Sequence, residues 1–227
     1  MSSMISPEST VLVLDLDDTL YPEHCYKISG IRSVCNTIAS LYPRYNAETL
    51  FESLDTLGAW LDQLCNDCGL NASEKQTLLW QYRLHIPDLS SCMPSEQLKD
   101  LISRFSATAV ISDGRSITQR LKLAALGLLE RFDLVLISEA TGADKPDDKR
   151  FLQIEKTWPG KQYIYIADNT AKDFITPNRL GWKTLRITGM PNALYSHNES
   201  HFPTEYRAQG HLDKLEDLAA LLNPVDN

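Results

Sequence analysis

The sequence predicts an α/β fold in which a parallel sheet is covered by helices on both faces. From about residue 95 onward, short runs of branched and aromatic residues alternate with stretches of helical periodicity. One further apolar run, at 11–14, stands near the start of the chain, before a long segment without strand-like runs. Strands that alternate with helices are joined by right-handed crossovers, so we expect all of these strands to lie parallel in one sheet.

The predicted strands are short and almost wholly apolar, which is typical of strands buried on both faces. We expect helices between them, with Ser116 and Gln119 as the capping box of one helix. The strands are predicted at 11–14, 108–111, 134–137, 163–167 and 184–187, and the helices at 95–105, 116–127, 147–157 and 170–180. Residues 1–23 and 94–227 therefore form a Rossmann-like core domain.

The segment 24–93 is predicted to be a separate helical domain inserted into that core. Helical periodicity places its helices at 28–41, 47–66 and 73–85. Cys65 and Cys68 have the spacing of a metal or redox pair, but they close an apolar helical pattern. We expect them to pack as small hydrophobic side chains rather than to bind zinc.

Composition and charge narrow the classes of function. Hydrophobic residues make up 43% and charged residues 23% of the chain, as in ordinary globular proteins. The formal net charge of -8 argues against nucleic-acid and membrane-surface partners, because their phosphates would be repelled. No apolar run approaches the length of a membrane span, and the start of the chain lacks the pattern of a signal peptide. We therefore expect a cytoplasmic location.

Three carboxylates follow the first predicted strand within four positions: Asp15, Asp17 and Asp18. Crowded anions repel and raise one another's pKa unless a positive charge lies between them. A hard divalent cation is the simplest such partner, and Mg²⁺ is commonly held by one or two carboxylates, substrate phosphate and water. An acidic turn without ligand is the alternative, and Asp18 is expected to be a solvated member of that turn.

Polar side chains also follow the other predicted strands. Ser112, Asp113 and Gly114 come after the second strand, Lys145 lies beyond the third, and Asp168 and Asp173 follow the fourth. Each has a simple structural alternative as a turn residue, a helix cap or a surface charge. Because ligands bind outside the carboxyl ends of parallel strands, their shared edge instead predicts one site.

Taken in order, these residues resemble the four motifs of the haloacid dehalogenase-like hydrolases. The first motif corresponds to Asp15-Leu-Asp17-Asp18-Thr19 and the second to an apolar strand ending at Ser112. Lys145 corresponds to the third motif, and Asp168 with Asp173 to the fourth. The resemblance extends from residue 11 to about 187, and it implies that 24–93 is a helical cap domain of the family's first cap type.

The resemblance implies covalent catalysis of phosphate transfer. Asp15 would attack phosphorus to form an aspartyl-phosphate, and Asp17 would act as general acid and then as general base. A carboxylate beside an ionised Asp15 should have a raised pKa, which suits a general acid. The cofactor would be Mg²⁺, held by the Asp15 side chain, the Asp17 backbone carbonyl and the Asp168 side chain. Asp173 and Thr19 would support the metal site from behind these ligands.

The phosphoryl oxygens would be held by the Ser112 hydroxyl, by the N–H groups of Asp113 and Gly114, and by Lys145, which supplies a local positive charge. Many relatives have Asn at position 113, so the Asp113 side chain is a departure from the family pattern. We expect its backbone, and not its carboxylate, to face the phosphate.

The predicted function is a Mg²⁺-dependent phosphatase acting on a small phosphorylated metabolite, such as a sugar phosphate, a nucleotide or a phospho-acid. A phosphotransferase or phosphomutase would use the same intermediate, so the core motifs leave that alternative open. A 2-haloacid dehalogenase needs neither Asp17 as acid nor Mg²⁺, and a non-catalytic binding module would not need Asp15. The retention of these residues favours the phosphatase.

Overall fold

Six parallel strands form a single sheet within residues 4–192 and 199–223, the part of the chain that the computed structural model describes. Their spatial order is β3-β2-β1-β4-β5-β6, which confirms the predicted Rossmann-like α/β fold. The strands are β1 (Thr10–Leu14), β2 (Ala107–Ser112), β3 (Leu134–Ile137), β4 (Gln162–Ala167), β5 (Lys183–Ile187) and β6 (Gly210–Leu212).

The α-helices lie both between the strands and in the long segment that follows β1. In chain order they are α1 (Glu23–Leu41), α2 (Ala47–Ser53), α3 (Trp60–Cys68), α4 (Ala72–Leu84), α5 (Glu96–Ser103), α6 (Ser116–Ala125), α7 (Ser138–Thr141), α8 (Lys149–Thr157) and α9 (Ile175–Arg179). Among the described helices, none combines the length and the apolar character that crossing a membrane requires.

The chain divides into two units, one of Met1–Glu23 with Cys92–Asn227 and the other of His24–Ser91. The assignment of 24–93 as a cap domain stays a prediction. The first unit contains the whole sheet, and the second contains α2 to α4 together with α1 from His24 onward.

The central strand β1 is buried along its whole length. Val11 and Val13 belong to one core cluster with Phe151 and Ile154 of α8. Successive strand residues point to opposite faces, so Leu12 points to the other face, where it is also completely buried. Both faces of the sheet are therefore covered, as the apolar runs predicted.

The helical unit His24–Ser91 has a core of its own, which includes Cys65 and Cys68. Both are buried, which confirms that they pack as small hydrophobic side chains. The single helix expected at 47–66 is wrong, because the chain leaves the helical conformation after α2. The Asp55 carboxylate accepts the N–H of Leu57 at 3.0 Å, which stabilises a turn before α3.

Two further expectations about helices are wrong for local reasons. The helix expected at 170–180 spans only α9, because the Asn169 side chain accepts the N–H of Ala171 at 3.0 Å and forms a turn instead. The expected capping box of α6 is also absent. The N–H of Ser116 is bound by Glu139 Oε2 at 2.8 Å, while the Gln119 side chain turns toward the end of β2.

We expect Phe151→Ala to lower the free energy of unfolding by roughly 3–5 kcal/mol, because it leaves a cavity against Tyr165 and Trp182. Leu152→Ala is the matched control on the same helix, since Leu152 is 43% exposed whereas Phe151 is fully buried. Urea unfolding followed by circular dichroism measures both changes. Equal losses in the two variants would contradict this account of the core.

Candidate active site

The carboxyl ends of β1, β2 and β4 meet at one edge of the sheet and border a cleft of about 140 Å³. Asp15 directly follows β1, Ser112 ends β2 and Asp168 directly follows β4. The cleft is lined by Asp15, Asp17, Asp18, Glu23, Ser112, Asp113, Asp168, Asn169 and Lys172. Parallel pairing of the strands thus brings distant parts of the sequence together.

The ammonium group of Lys145 lies fully buried beside the cleft. Its Nζ is 2.9 Å from Asp15 Oδ1 and 2.7 Å from Asp173 Oδ1, and it donates to the Tyr165 hydroxyl at 3.1 Å. Burial alone would lower the pKa of Lys145, but the charges of Asp15 and Asp173 raise it well above its usual value. Lys145 is therefore protonated and supplies a positive charge beside the carboxylates of Asp15 and Asp173.

Asp15, Asp168 and Asp173 form a compact acidic cluster, with a carboxylate oxygen of each within 4.8 Å of the others. Burial, together with the charge of Asp173, raises the pKa of Asp15 to about 6 against the opposing effect of Lys145. Burial, together with the charges of Asp173 and Asp15, raises the pKa of Asp168 to about 8. Lys145 contacts two of the three carboxylates and does not keep the pKa values of Asp15 and Asp168 at their usual level, so the cluster could hold a cation.

The carboxylates of Asp168 and Asp173 differ in their hydrogen bonds. Asp168 Oδ2 is buried and has no hydrogen-bond partner among the described residues. Both Asp173 oxygens are engaged, Oδ1 by Lys145 and Oδ2 by the N–H of Asn169 at 2.8 Å. Buried polar atoms are rarely left unpaired, and a hard cation with oxygen ligands fits the pair Asp15 and Asp168.

Asp17 lies at the cleft with its side chain 21% exposed, and its surroundings differ from those of Asp15. Lys122 Nζ is 2.8 Å from both of its oxygens, Gln119 donates to Oδ2 at 2.8 Å and the Tyr21 hydroxyl to Oδ1 at 2.7 Å. Burial would raise the pKa of Asp17, but the charge and hydrogen bonds of Lys122 outweigh it and lower that pKa. The prediction of a raised pKa for Asp17 is therefore wrong.

Lys122 and Gln119 were not identified from the sequence. Both lie on α6, on the stripe of buried residues that also contains Thr118 and Leu123. A lysine on the buried stripe of an amphipathic helix requires a charged partner, and this is the feature that could have identified it.

The Asp113 carboxylate is held by cations and does not face the cleft as an isolated charge. Arg150 Nη2 is 2.6 Å from Oδ1, Lys172 Nζ is 2.8 Å from Oδ2, and the backbone N–H of Lys145 donates to Oδ1 at 3.1 Å. Burial would raise the pKa of Asp113, but the charge of Lys145 and the bonds from Lys172 and Arg150 lower it to about 2. Arg150 and Lys172 are two further site residues that sequence reasoning missed.

The residues around the end of β2 are not all directed at the cleft. Ser112 lines it, and its hydroxyl accepts a hydrogen bond from Gln119 at 2.7 Å. Gly114 lines a neighbouring cavity, and its N–H donates to Ser138 Oγ at 2.9 Å. To bind a phosphate oxygen, the N–H of Gly114 would have to give up that bond.

Asp18 and Thr19 are both buried, and of the two only Asp18 is among the residues that line the cleft. The prediction that Asp18 is solvated is wrong, because its side chain is buried and its Oδ1 accepts the N–H of Glu23 at 2.8 Å at the start of α1. Thr19 Oγ1 is buried without a hydrogen-bond partner among the described residues. Neither residue belongs to the acidic cluster of Asp15, Asp168 and Asp173.

A comparison of this chain with known protein families agrees with this arrangement of charged residues at one edge of a parallel sheet. The model of the haloacid dehalogenase-like hydrolases matches residues 12–187. The chain belongs to this family. The matched residues include all the aspartates of the cleft and Lys145.

Two similar proteins are named as phosphatases of phosphorylated sugars. The glyceraldehyde 3-phosphate phosphatase of Methanopyrus kandleri is 25% identical over 195 residues, covering 78% of this chain and 82% of the relative. The ribulose-1,5-bisphosphate 5-phosphatase of Halopiger xanaduensis is 23% identical over 241 residues, covering 95% of this chain and 100% of the relative.

Solved structures show the same fold. The HAD-hydrolase YfnB of Bacillus subtilis, described as bound to magnesium, superposes with a TM-score of 0.62 at 19% identity over 96% of this chain and 100% of its own. The 2-haloacid dehalogenase of Pseudomonas syringae gives a TM-score of 0.59 at 17% identity over 93% of this chain and 97% of its own. At these identities the likeness concerns the fold alone.

We expect Asp168→Asn to stabilise the metal-free protein near pH 9 and to have less effect near pH 6. Because burial raises the pKa of Asp168 to about 8 in the folded protein, stability falls as the pH rises through that value. Urea midpoints of protein treated with a chelator measure the effect. The exposed Asp100→Asn is the control. If the urea midpoints of Asp168→Asn depended on pH as those of the wild type do, the raised pKa of Asp168 would be refuted.

Proposed function

We propose that the protein is a Mg²⁺-dependent phosphatase that hydrolyses a small phosphorylated metabolite through an aspartyl-phosphate at Asp15. The observation that supports it most is the buried cluster in which Lys145 lies between Asp15 and Asp173, beside the unpaired oxygen of Asp168. The cluster provides a nucleophile, a positive charge and a place for a cation within one cleft.

In the first step, the Asp15 carboxylate attacks the phosphorus atom, and the bond from phosphorus to the leaving oxygen breaks. With its pKa at about 6, Asp15 is mostly ionised near neutral pH and can act as a nucleophile. Asp17 donates a proton to the leaving oxygen. It acquires this proton when the phosphate binds, because a second negative charge beside Asp17 raises its pKa.

In the second step, the Asp17 carboxylate accepts a proton from water while the water oxygen attacks phosphorus. The bond to Asp15 breaks, and phosphate is released with Asp15 regenerated. The lowered pKa of Asp17 in the free protein suits this role as a base that recovers its ionised form after each turnover.

The Asp15 and Asp168 side chains and the Asp17 backbone carbonyl would hold Mg²⁺, with Asp173 and Thr19 behind them. When bound, the ion neutralises charge on the phosphoryl group and on the carboxylates around it. Asp173 keeps Lys145 in place through the contact at 2.7 Å.

The phosphoryl oxygens would be bound by Lys145, by the Ser112 hydroxyl and by the N–H of Asp113. Lys172 lines the cleft with its side chain 33% exposed, and it adds a second cation that Asp113 holds. Gly114 contributes only if its bond to Ser138 is given up. The anionic Asp113 is compatible with this role because Arg150 and Lys172 compensate its charge.

Sugar phosphates are the favoured substrates among the small phosphorylated metabolites. Both phosphatases described above are named for sugar phosphates, and each is matched over most of its length. Transfer to a second sugar hydroxyl would use the same residues, so a phosphotransferase is the second candidate. A 2-haloacid dehalogenase is disfavoured, because it has no use for the acidic cluster around Asp168.

We expect Asp15→Asn to abolish Mg²⁺-dependent release of phosphate from p-nitrophenyl phosphate, because an amide cannot form the acyl phosphate. Colorimetric assay of phosphate measures the loss, and circular dichroism shows whether the variant is folded. Asp100→Asn serves as the charge-matched control on the surface and should retain turnover. Unchanged turnover in Asp15→Asn would overturn the mechanism.

We expect Mg²⁺ binding near pH 7 to release protons, mainly from Asp168, whose pKa is about 8 without the ion. Calorimetric titrations in two buffers of different ionisation enthalpy measure the number released. In Asp168→Asn the release should fall together with the affinity. Binding of Mg²⁺ by the wild type without release of protons would contradict the assignment of Asp168 as a ligand.

A further inference from the structure

We propose that Lys122, assisted by Gln119 and Tyr21, is a positioning residue that fixes the carboxylate of Asp17 for proton transfer. This inference rests on the proposed phosphatase function, in which Asp17 serves the leaving oxygen and then the attacking water. We call these three side chains, Lys122, Gln119 and Tyr21, the Asp17 clamp.

Burial of the Lys122 ammonium group carries a large desolvation cost, and the group lies against the carboxylate of Asp17. Lys122 is 3% exposed, and its Nζ lies 2.8 Å from Oδ1 and 2.8 Å from Oδ2 of Asp17. Desolvating a lysine is costly unless it gains such a partner. The same ammonium group is 3.9 Å from Glu23 Oε1, so a second carboxylate of the cleft contributes to its charge balance.

Two neutral donors complete the clamp, one for each Asp17 oxygen. The Tyr21 hydroxyl donates to Oδ1 at 2.7 Å, and Gln119 Nε2 donates to Oδ2 at 2.8 Å. Each oxygen thus has one charged and one neutral donor, which opposes rotation of the carboxylate. Because Tyr21 is 1% exposed, its ring has little freedom to move away.

Gln119 also couples Asp17 to the end of β2. The same Nε2 lies 2.7 Å from Ser112 Oγ and 3.2 Å from the Asp113 carbonyl. Since Ser112 is the proposed phosphate ligand, Gln119 sets the distance between the proton donor and the phosphoryl group. Misplacement of a catalytic group by about 1 Å can cost about 10²-fold in rate. The contacts of Gln119 with Asp17 and Ser112 therefore affect the rate of the proposed reaction.

Lys122→Met tests the inference through the dependence of rate on the leaving group. Phenyl phosphate releases a phenolate that needs a proton, whereas p-nitrophenyl phosphate releases an ion that does not. If the clamp acts through Asp17, kcat/KM for phenyl phosphate should fall about tenfold or more beyond any fall for p-nitrophenyl phosphate. KM should change little. Equal losses on both substrates, or no loss, would overturn the proposal.

Tyr21→Phe is the isosteric second variant, because it removes one hydroxyl and keeps the buried ring. It should shift the ratio between the two substrates in the same direction by a smaller factor, even if Lys122→Met fails to fold. Lys156→Met, which removes an exposed lysine from α8, is the matched control and should leave the ratio unchanged.

A double-mutant cycle separates action through Asp17 from other effects. In an Asp17→Asn background, Lys122→Met should cause little additional loss on phenyl phosphate, since the group that it positions is already disabled. A full additional loss would refute the clamp. Failure of the phosphatase proposal itself is distinguishable, because the wild type would then hydrolyse neither substrate, or Asp15→Asn would retain activity.

Discussion

The buried ammonium group of Lys145 is the constraint on which the carboxyl edge of the sheet depends. Asp15 and Asp173 both contact it, and without a positive charge between them these carboxylates would repel one another in a medium of low dielectric. Since Lys145 also binds the Tyr165 hydroxyl from β4, the charge network is tied directly to the sheet. The position of Asp15 is thus determined by the backbone of two neighbouring strands and by one side chain between them.

The pKa values of Asp15 and Asp17 shift in opposite directions because each carboxylate has a different share of a neighbouring lysine's charge. Lys145 divides its charge between Asp15 and Asp173, so burial prevails at Asp15 and its pKa rises. Lys122 directs both of its short contacts to Asp17, so attraction prevails there and the pKa falls. The same logic applies to Asp113, where several cations act on one carboxylate.

Much of the fold could be predicted because buried parallel strands are marked by apolar runs and helices by periodicity. β6 escaped prediction because it has three residues, Gly210–Leu212, and no apolar run. At the site, Asp15 and Asp168 could be predicted because residues after parallel strands share an edge. Lys122 could not, since it pairs with a residue 105 positions away and depends on which face of α6 turns toward β2. For the same reason the direction of the pKa shift at Asp17 could not be predicted from the sequence.

The order of the elements along the chain has an evolutionary consequence. Between Asp15, which follows β1, and the strand β2 beside β1, the chain passes through α1 to α5. Lengthening the segment between two paired strands adds little to the entropy cost of bringing the strands together. The pairing of β1 with β2 therefore tolerates inserts of very different size. A lineage could therefore exchange His24–Ser91 for another module while it retains the residues at the carboxyl edge of the sheet.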